Sequence, residues 1–150
     1  MRLMNDSKLL SELETSGELI YTTSGVSMYP MLRNRQDIVH IKKCDGILKR
    51  YDLPLYVRSN GKLVLHRILC VKDDHYIICG DNCFKLEKVP FDCVKGYVDE
   101  FWRNNKHYTD KSLAYRIYVH IWCDFSLIRR FALFLIHNTK RFIKKLIKRR

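Results

Sequence analysis

Three short segments carry the residue types that a serine nucleophile requires. The first, residues 24–32, reads Ser-Gly-Val-Ser-Met-Tyr-Pro-Met-Leu and places Ser27 on a turn between a glycine and a proline. The second carries His66, and the third is a Gly-Asp-Asn turn that contains Asp81. A serine hydroxyl attacks a carbonyl only when a base takes its proton and a third group orients that base. The segments therefore predict Ser27 as a nucleophile and His66 as its base.

Two acids are candidates for the group that orients the imidazole. Asp81 belongs to the Gly-Asp-Asn turn, and Glu87 follows six residues later. A glutamate can orient an imidazole as an aspartate does, although its longer side chain requires a different backbone distance. Both acids remain candidates, and Asp81 is also suited to structural support of its turn.

The elements that must position these residues change in character along the chain. Residues 1–18 contain a capping serine and three leucines on one helical face, which predicts a short lead-in helix. From residue 19 to 102, short β-rich runs alternate with turn signals, which predicts a mainly β domain of hairpins. Asn60-Gly61 predicts a hairpin with a two-residue type I′ turn. The run 62–71 after it is predicted to be one strand.

The composition bounds the class of protein. A chain of 150 residues with 47% hydrophobic residues, six glycines and three prolines is the size of one domain and is neither disordered nor fibrous. The first residues contain no apolar core of signal-peptide length, so the six cysteines are predicted to be reduced. The spacing of Cys79 and Cys83 and the nearby histidines match no common zinc pattern, so no metal or cofactor is predicted.

Residues 103–150 are predicted to form a basic amphipathic helical tail. Residues 101–150 contain thirteen Lys and Arg against two Asp and Glu, which accounts for +11 of the net charge of +12. Apolar residues recur at helical spacing at Leu113, Ile117, Ile121, Phe125 and Ile128. No run approaches the ~18–20 apolar residues of a membrane-spanning helix.

Two interpretations of this tail remain open. Its helices either pack on the β domain with their charges in water, or attach residues 113–150 to an anionic membrane surface. The expected location is therefore membrane-associated or cytoplasmic. Nucleic acid is disfavoured as a partner because no readout motif accompanies the cations.

Together, these motifs resemble the superfamily of signal peptidase I and LexA-type serine peptidases. The resemblance covers roughly residues 19–98. The matching elements are Gly25-x-Ser27-Met28-x-Pro30-x-Leu32, Asp37-Ile38-Val39, His66-Arg67-Ile68, Gly80-Asp81-Asn82 and Glu87-x-Val89-Pro90. Most bacterial members use a lysine base, whereas the histidine at position 66 resembles the endoplasmic-reticulum and archaeal subtype.

The resemblance implies a fold, a reaction and a role for each residue. Ser27 would attack the scissile carbonyl of an extended peptide, and its backbone N–H would help to hold the oxyanion. Gly25 stands where some relatives have a hydroxyl, and Met28 and Pro30 would fix the turn and line the cleft. The orienting acid of the histidine subtype usually lies about six residues beyond the aspartate of the turn, where this chain has Glu87. The implied function is a serine endopeptidase that cleaves a leader or signal peptide.

Several departures from the family pattern keep other hypotheses open. Gln36-Asp37 and Tyr51-Asp52 replace Gly-Asp pairs, and the amino-terminal membrane anchor of signal peptidases is not found. A non-hydrolytic peptide-binding or regulatory module that retains the peptidase fold is the alternative. Self-cleavage coupled to gene control is disfavoured, because the residues before the motif are too few for a helix-turn-helix domain.

Overall fold

The computed structural model describes residues 5–125, 129–136 and 138–139, and most of them belong to two antiparallel sheets and flanking helices. The elements in chain order are α1 (Asp6–Ser16), β1 (Glu18–Thr22), β2 (Ile38–Lys43), β3 (Leu53–Val57), β4 (Leu63–Leu65), β5 (Arg67–Val71), β6 (His75–Cys79), β7 (Glu87–Pro90), a 3₁₀ turn (Phe91–Cys93), β8 (Val94–Arg103), β9 (Lys106–Thr109) and α2 (Leu113–Asp124). The larger sheet has the order β1-β2-β8-β3-β4 with β9 on β8, and the smaller has the order β5-β6-β7. The prediction of a mainly β fold with a short amino-terminal helix and carboxyl-terminal helices is confirmed.

Helix α1 covers the larger sheet with two of its leucines. Leu9 and Leu13 are buried in the same core as Leu19, Val39 and Ile41. Gly17 ends the helix in the left-handed conformation, with a φ of 78°, and its N–H donates to the Leu13 carbonyl at 3.0 Å. A glycine adopts this conformation without a steric cost, so the sequence ends the helix where it must turn into β1.

The hairpin predicted at Asn60-Gly61 joins β3 and β4, but its turn differs from the prediction. Gly61 has a positive φ of 76°, whereas Asn60 does not. The Arg58 N–H donates to the Lys62 carbonyl at 2.9 Å, which closes a longer loop between the strands. A type I turn followed by a left-handed glycine gives this geometry, and it needs only one residue with positive φ.

The run 62–71 is two strands rather than the one predicted strand. β4 pairs with β3 in the larger sheet, and β5 pairs with β6 in the smaller one. His66 stands between them, and its N–H donates to the Pro54 carbonyl at 3.4 Å. The break therefore places His66 at the junction of the two sheets.

The β region extends past the predicted boundary at residue 102. β8 continues to Arg103 and folds back as β9, through Asn104 and Asn105 with φ values of 50° and 59°. Asparagine tolerates the left-handed backbone conformation, so this pair makes the tight turn between β8 and β9. The sequence analysis missed the turn because it contains no glycine.

Helix α2 packs on the β domain with a face that the apolar periodicity did not identify. Val119 and Trp122 are buried, and Trp122 Nε1 donates to the Asp81 carbonyl at 2.9 Å. The predicted apolar residues are instead exposed on the other side of the helix: Leu113 (71%), Ile117 (51%), Ile121 (44%) and Phe125 (57%). The fifth, Ile128, and residues 140–150 lie outside the described residues. Within the described residues, the helices are too short or too polar to cross a bilayer.

A buried ion pair joins these elements beneath the junction of the sheets. The Arg67 side chain is fully buried, and Nε and Nη2 donate to the two Asp81 carboxylate oxygens at 2.9 Å each. Nη1 donates to the Tyr51 carbonyl at 3.0 Å and to Tyr115 Oη at 2.9 Å, and Nη2 also contacts Met31 Sδ. All five N–H groups of the guanidinium thus have acceptors, which is what allows the charge to be buried.

Replacement of Asp81 by asparagine tests the structural weight of this pair. Asp81→Asn leaves the Arg67 charge buried and without its partner, so we expect a loss of about 3–5 kcal/mol in the free energy of unfolding. Urea denaturation followed by circular dichroism measures it. The matched control is Glu14→Gln, the same chemical change in the exposed pair with Lys43, for which no measurable change is expected. Equal unfolding midpoints for the two variants would contradict the assignment.

Candidate active site

The loop that carries Ser27 is closed at its base by a threonine and an aspartate. Thr23 Oγ1 donates to the carbonyls of Arg33 and Asp37 at 2.8 and 3.0 Å. The buried Asp37 carboxylate accepts the Arg33 N–H at 2.7 Å and pairs with the Arg33 guanidinium. These bonds tie the two ends of the loop together, so the turn between them is held without a strand partner.

Inside this loop, each end of the Ser27 turn has its own support. Gly25 has a φ of 89°, and its N–H donates to Asn34 Oδ1 at 2.9 Å. Met28 is buried in the core, and its carbonyl accepts the Leu32 N–H at 2.9 Å. Pro30 follows a cis peptide bond, and its carbonyl accepts from the Arg103 guanidinium. Pro30 thus anchors the turn, whereas Gly25 and Met28 also line the cavity described below.

The Gly-Asp-Asn turn is bonded directly to the Ser27 turn. The Asn82 N–H donates to the Ser27 carbonyl at 2.8 Å, and Asn82 Nδ2 donates to the Val26 carbonyl at 3.0 Å. Arg129, from the helical residues 129–136, braces the other side by donating to the Gly80 carbonyl at 2.8 Å. The two predicted motifs therefore form one hydrogen-bonded unit.

His66 is buried against this unit with Nε2 directed toward it. A Cβ on Gly80 would lie 2.7 Å from the Ser27 carbonyl oxygen and 2.9 Å from His66 Nε2. Only glycine leaves room for the imidazole and the serine turn to approach so closely. Ser27 and His66 also line one cavity of about 560 Å³.

Among the described residues, no hydrogen bond joins the Ser27 hydroxyl to His66. Catalytic hydrogen bonds are often long in unliganded enzymes and shorten when substrate binds. The Ser27 backbone N–H likewise has no acceptor within the described part of the chain. Because Ser27 and His66 both line the cavity, a group that enters it can contact both residues.

The two candidate acids lie in different places. Glu87 Oε1 is 3.3 Å from His66 Nδ1, and Tyr56 Oη is 3.2 Å from the same nitrogen. Asp81, by contrast, is bound by Arg67 and accepts a hydrogen bond from Tyr118 Oη at 2.9 Å. Of the two acids, Glu87 is the one in contact with the imidazole.

The sequence analysis missed two residues of this site, Tyr56 beside His66 and Arg58 beside Glu87. Arg58 Nε donates to Glu87 Oε2 at 2.7 Å, and Nη2 donates to Oε1 at 2.5 Å. It also lines the cavity. No motif marks it, because its partner stands 29 residues away in the other sheet. The local feature of the sequence that could have indicated Arg58 is its position directly after β3, in the hairpin that leads to β4.

Burial and charge set the protonation of this group of side chains. Burial lowers the pKa of His66, the Glu87 charge raises it in part, and the Arg58 charge lowers it, so the pKa of His66 lies below the ordinary value of a histidine. Burial raises the pKa of Glu87, but hydrogen bonds and charge from Arg58 outweigh this and leave it lowered. At neutral pH the site therefore holds a neutral imidazole beside an ionised carboxylate.

The cavity is bordered by β4, the end strand of the larger sheet. β4 pairs with β3 on one side, and among the described strands it has no partner on the other. Its residues line the cavity together with Ser24 and Gly25. An unpaired strand edge beside a cavity is suited to an extended peptide, which adds as a further strand.

Chemically, the site combines a serine and a neutral imidazole that line one cavity with a carboxylate beside the imidazole, which are the residue types that general-base activation of a nucleophile requires. No set of three or more His, Cys, Asp or Glu side chains among the described residues is grouped to hold a metal ion. No protein-family model and no curated protein matches this chain.

Replacement of Gly80 by alanine tests the close approach of the serine turn and His66. The added methyl group must displace one of them, so Gly80→Ala should destabilise the protein by roughly 1–3 kcal/mol and move the His66 imidazole signals in NMR spectra. Gly46→Ala is the control, because a Cβ there meets nothing within 4 Å. A Gly80→Ala protein as stable as Gly46→Ala, with unmoved His66 signals, would show that the turn and the imidazole are not in contact.

Proposed function

We propose that this protein is a serine endopeptidase with Ser27 as nucleophile, His66 as base and Glu87 as the acid that orients His66. The observation that carries the proposal is the placement of one buried imidazole, with Nε2 toward the Ser27 turn and Nδ1 beside Glu87. Histidine needs no large pKa shift to act as a base near neutral pH, and this one is neutral there.

The proposed reaction proceeds by acyl transfer. Ser27 Oγ attacks the scissile carbonyl, and His66 Nε2 takes the hydroxyl proton as the new C–O bond forms. Nδ1–H donates to Glu87, whose charge stabilises the imidazolium. The Ser27 N–H holds the oxyanion, the leaving amine takes the proton from His66, and water then releases the acyl group by the same steps with His66 again as base.

The proposed substrate is an extended peptide that lies along β4. Eight of the cavity-lining residues are aliphatic side chains or methionine from the core and the strands: Leu9, Met28, Leu32, Ile41, Leu55, Leu63, Val64 and Leu65. The resemblance to signal peptidases suggests cleavage of a leader or signal peptide, with small residues at the first and third positions before the cut. The outer edge of β4 has no strand partner among the described residues, and its Leu63 N–H donates to Asp6 Oδ2 at 3.1 Å. This edge supports a substrate bound by its backbone once that side chain gives way.

Alanine substitutions at the nucleophile and the base test the proposal. We expect Ser27→Ala and His66→Ala to lower kcat/KM on leader-peptide libraries by about 10⁴-fold or more, and to abolish labelling by a fluorophosphonate probe. Ser59→Ala and His75→Ala are the matched controls, since Ser59 is exposed on the β3–β4 loop and His75 pairs with Asp74 at the far end of β6. Cleavage or labelling that survives in all four variants would sink the proposal. A folded wild-type protein that binds peptide without cleavage or labelling would favour the non-hydrolytic module.

Two further variants separate the orienting acid from its cation. Glu87→Gln removes a charge that raises the pKa of His66, so the acidic limb of kcat/KM should move to lower pH, with a loss of roughly 10²–10⁴-fold in rate. Arg58→Met removes a charge that lowers the same pKa, so the limb should move to higher pH. Glu100→Gln, which removes the carboxylate beside His107, should leave the profile unchanged. If the acidic limb moved in the same direction in Glu87→Gln and Arg58→Met, the proposed roles of these two residues would be refuted.

A further inference from the structure

The exposed apolar residues of α2 form a stripe that the fold does not use. Leu113, Ile117 and Ile121 of α2, with Phe125 directly after its last residue, recur every four residues and are 44–71% exposed; we term these four residues the α2 stripe. Large exposed apolar groups that lie together mark a surface that meets another molecule or a membrane. The opposite side of α2, with Val119 and Trp122 buried, already attaches the helix to the β domain.

The charge of the surrounding segment identifies the kind of partner. Arg116, on the same helix, is exposed, and so is Arg130 after it. Residues 129–150 contain nine Lys and Arg and no Asp or Glu. Of the two acids in residues 101–150, Asp124 is already paired with Arg50. The partner must therefore supply negative charge beside an apolar layer.

A membrane that contains anionic lipids supplies both. A second copy of this chain would place cations against cations, and a nucleic acid would leave four apolar side chains in water. Amphipathic helices that lie in the membrane interface combine apolar side chains on one face with Lys and Arg toward the phosphates. Phe131, Phe134 and Leu135 are also exposed in the helical residues 129–136, which extends the apolar character of this part of the chain.

We propose that α2 docks in the interface of an anionic membrane, with the α2 stripe in the apolar layer. The proposal does not depend on peptidase activity. Its test is cosedimentation of the full chain with vesicles of phosphatidylglycerol and phosphatidylcholine, beside vesicles of phosphatidylcholine alone. We expect binding to the anionic vesicles, and each Lys or Arg at the surface strengthens it roughly fivefold. Binding should weaken as salt is added.

Substitutions in the α2 stripe provide the decisive comparison. Ile117→Ser with Ile121→Ser should lower vesicle affinity about tenfold or more, because both side chains would leave the apolar layer. Ile20→Ser with Ile47→Ser is the matched control, since these isoleucines are 70% and 68% exposed on the β domain. Circular dichroism and urea unfolding establish that both pairs fold. Arg116→Gln with Arg130→Gln should weaken binding to the anionic vesicles only.

Three outcomes would overturn the proposal. The full chain sediments no better with anionic vesicles than without them, or the α2-stripe pair binds as tightly as the Ile20 and Ile47 control. In the third outcome, the wild-type protein is a dimer in analytical ultracentrifugation, and the α2-stripe substitutions convert it to a monomer with no change in vesicle binding. That result would assign the stripe to a contact with a second copy of the chain.

Discussion

The buried ion pair of Arg67 and Asp81 is the interaction on which the rest of the structure depends. Arg67 directly follows His66, and Asp81 directly follows Gly80, so the pair fixes the imidazole against the turn that faces it. Two charges remain buried only when each keeps its partner and its hydrogen bonds. Met31 extends the constraint to the serine loop, and the tyrosines of α2 extend it to the helix. The relative position of the Ser27 turn and His66 is thus set by a charge requirement rather than by apolar packing.

The protonation of His66 depends on a balance between burial and nearby charges that a lysine at this position would not require. A lysine must lose about three pKa units by burial before it is neutral at pH 7, whereas burial of a histidine lowers a pKa that is already low enough. Glu87 restores part of the basicity, and it can do so only while ionised. Arg58 keeps it ionised despite burial. A partly buried carboxylate beside a histidine therefore requires a cation such as Arg58 to remain ionised.

The sequence predicted the parts of this protein that depend on local pattern. The order of the motifs, the β-rich body, the α1 helix and the hairpin after β3 follow from spacing and turn chemistry. The sequence did not predict the break between β4 and β5 at His66. Side chains alternate between two faces along a strand whether or not that strand passes from one sheet to another. The choice between Asp81 and Glu87 likewise depended on which acid Arg67 and Arg58 bind, and such long-range pairing leaves no local signal.

Helix α2 shows why periodicity alone does not reveal which side of a helix faces the protein. Its inward face presents Tyr115 and Tyr118, whose hydroxyls bind Arg67 and Asp81. A buried ion pair has polar groups left to satisfy, and aromatic residues with hydroxyls meet that need while they also exclude water. The α2 stripe is thereby left facing outward, on the side away from Val119 and Trp122. Because a helix is only about 10 Å across, a membrane against the outer face would lie close to the turn that holds Ser27 and His66 together.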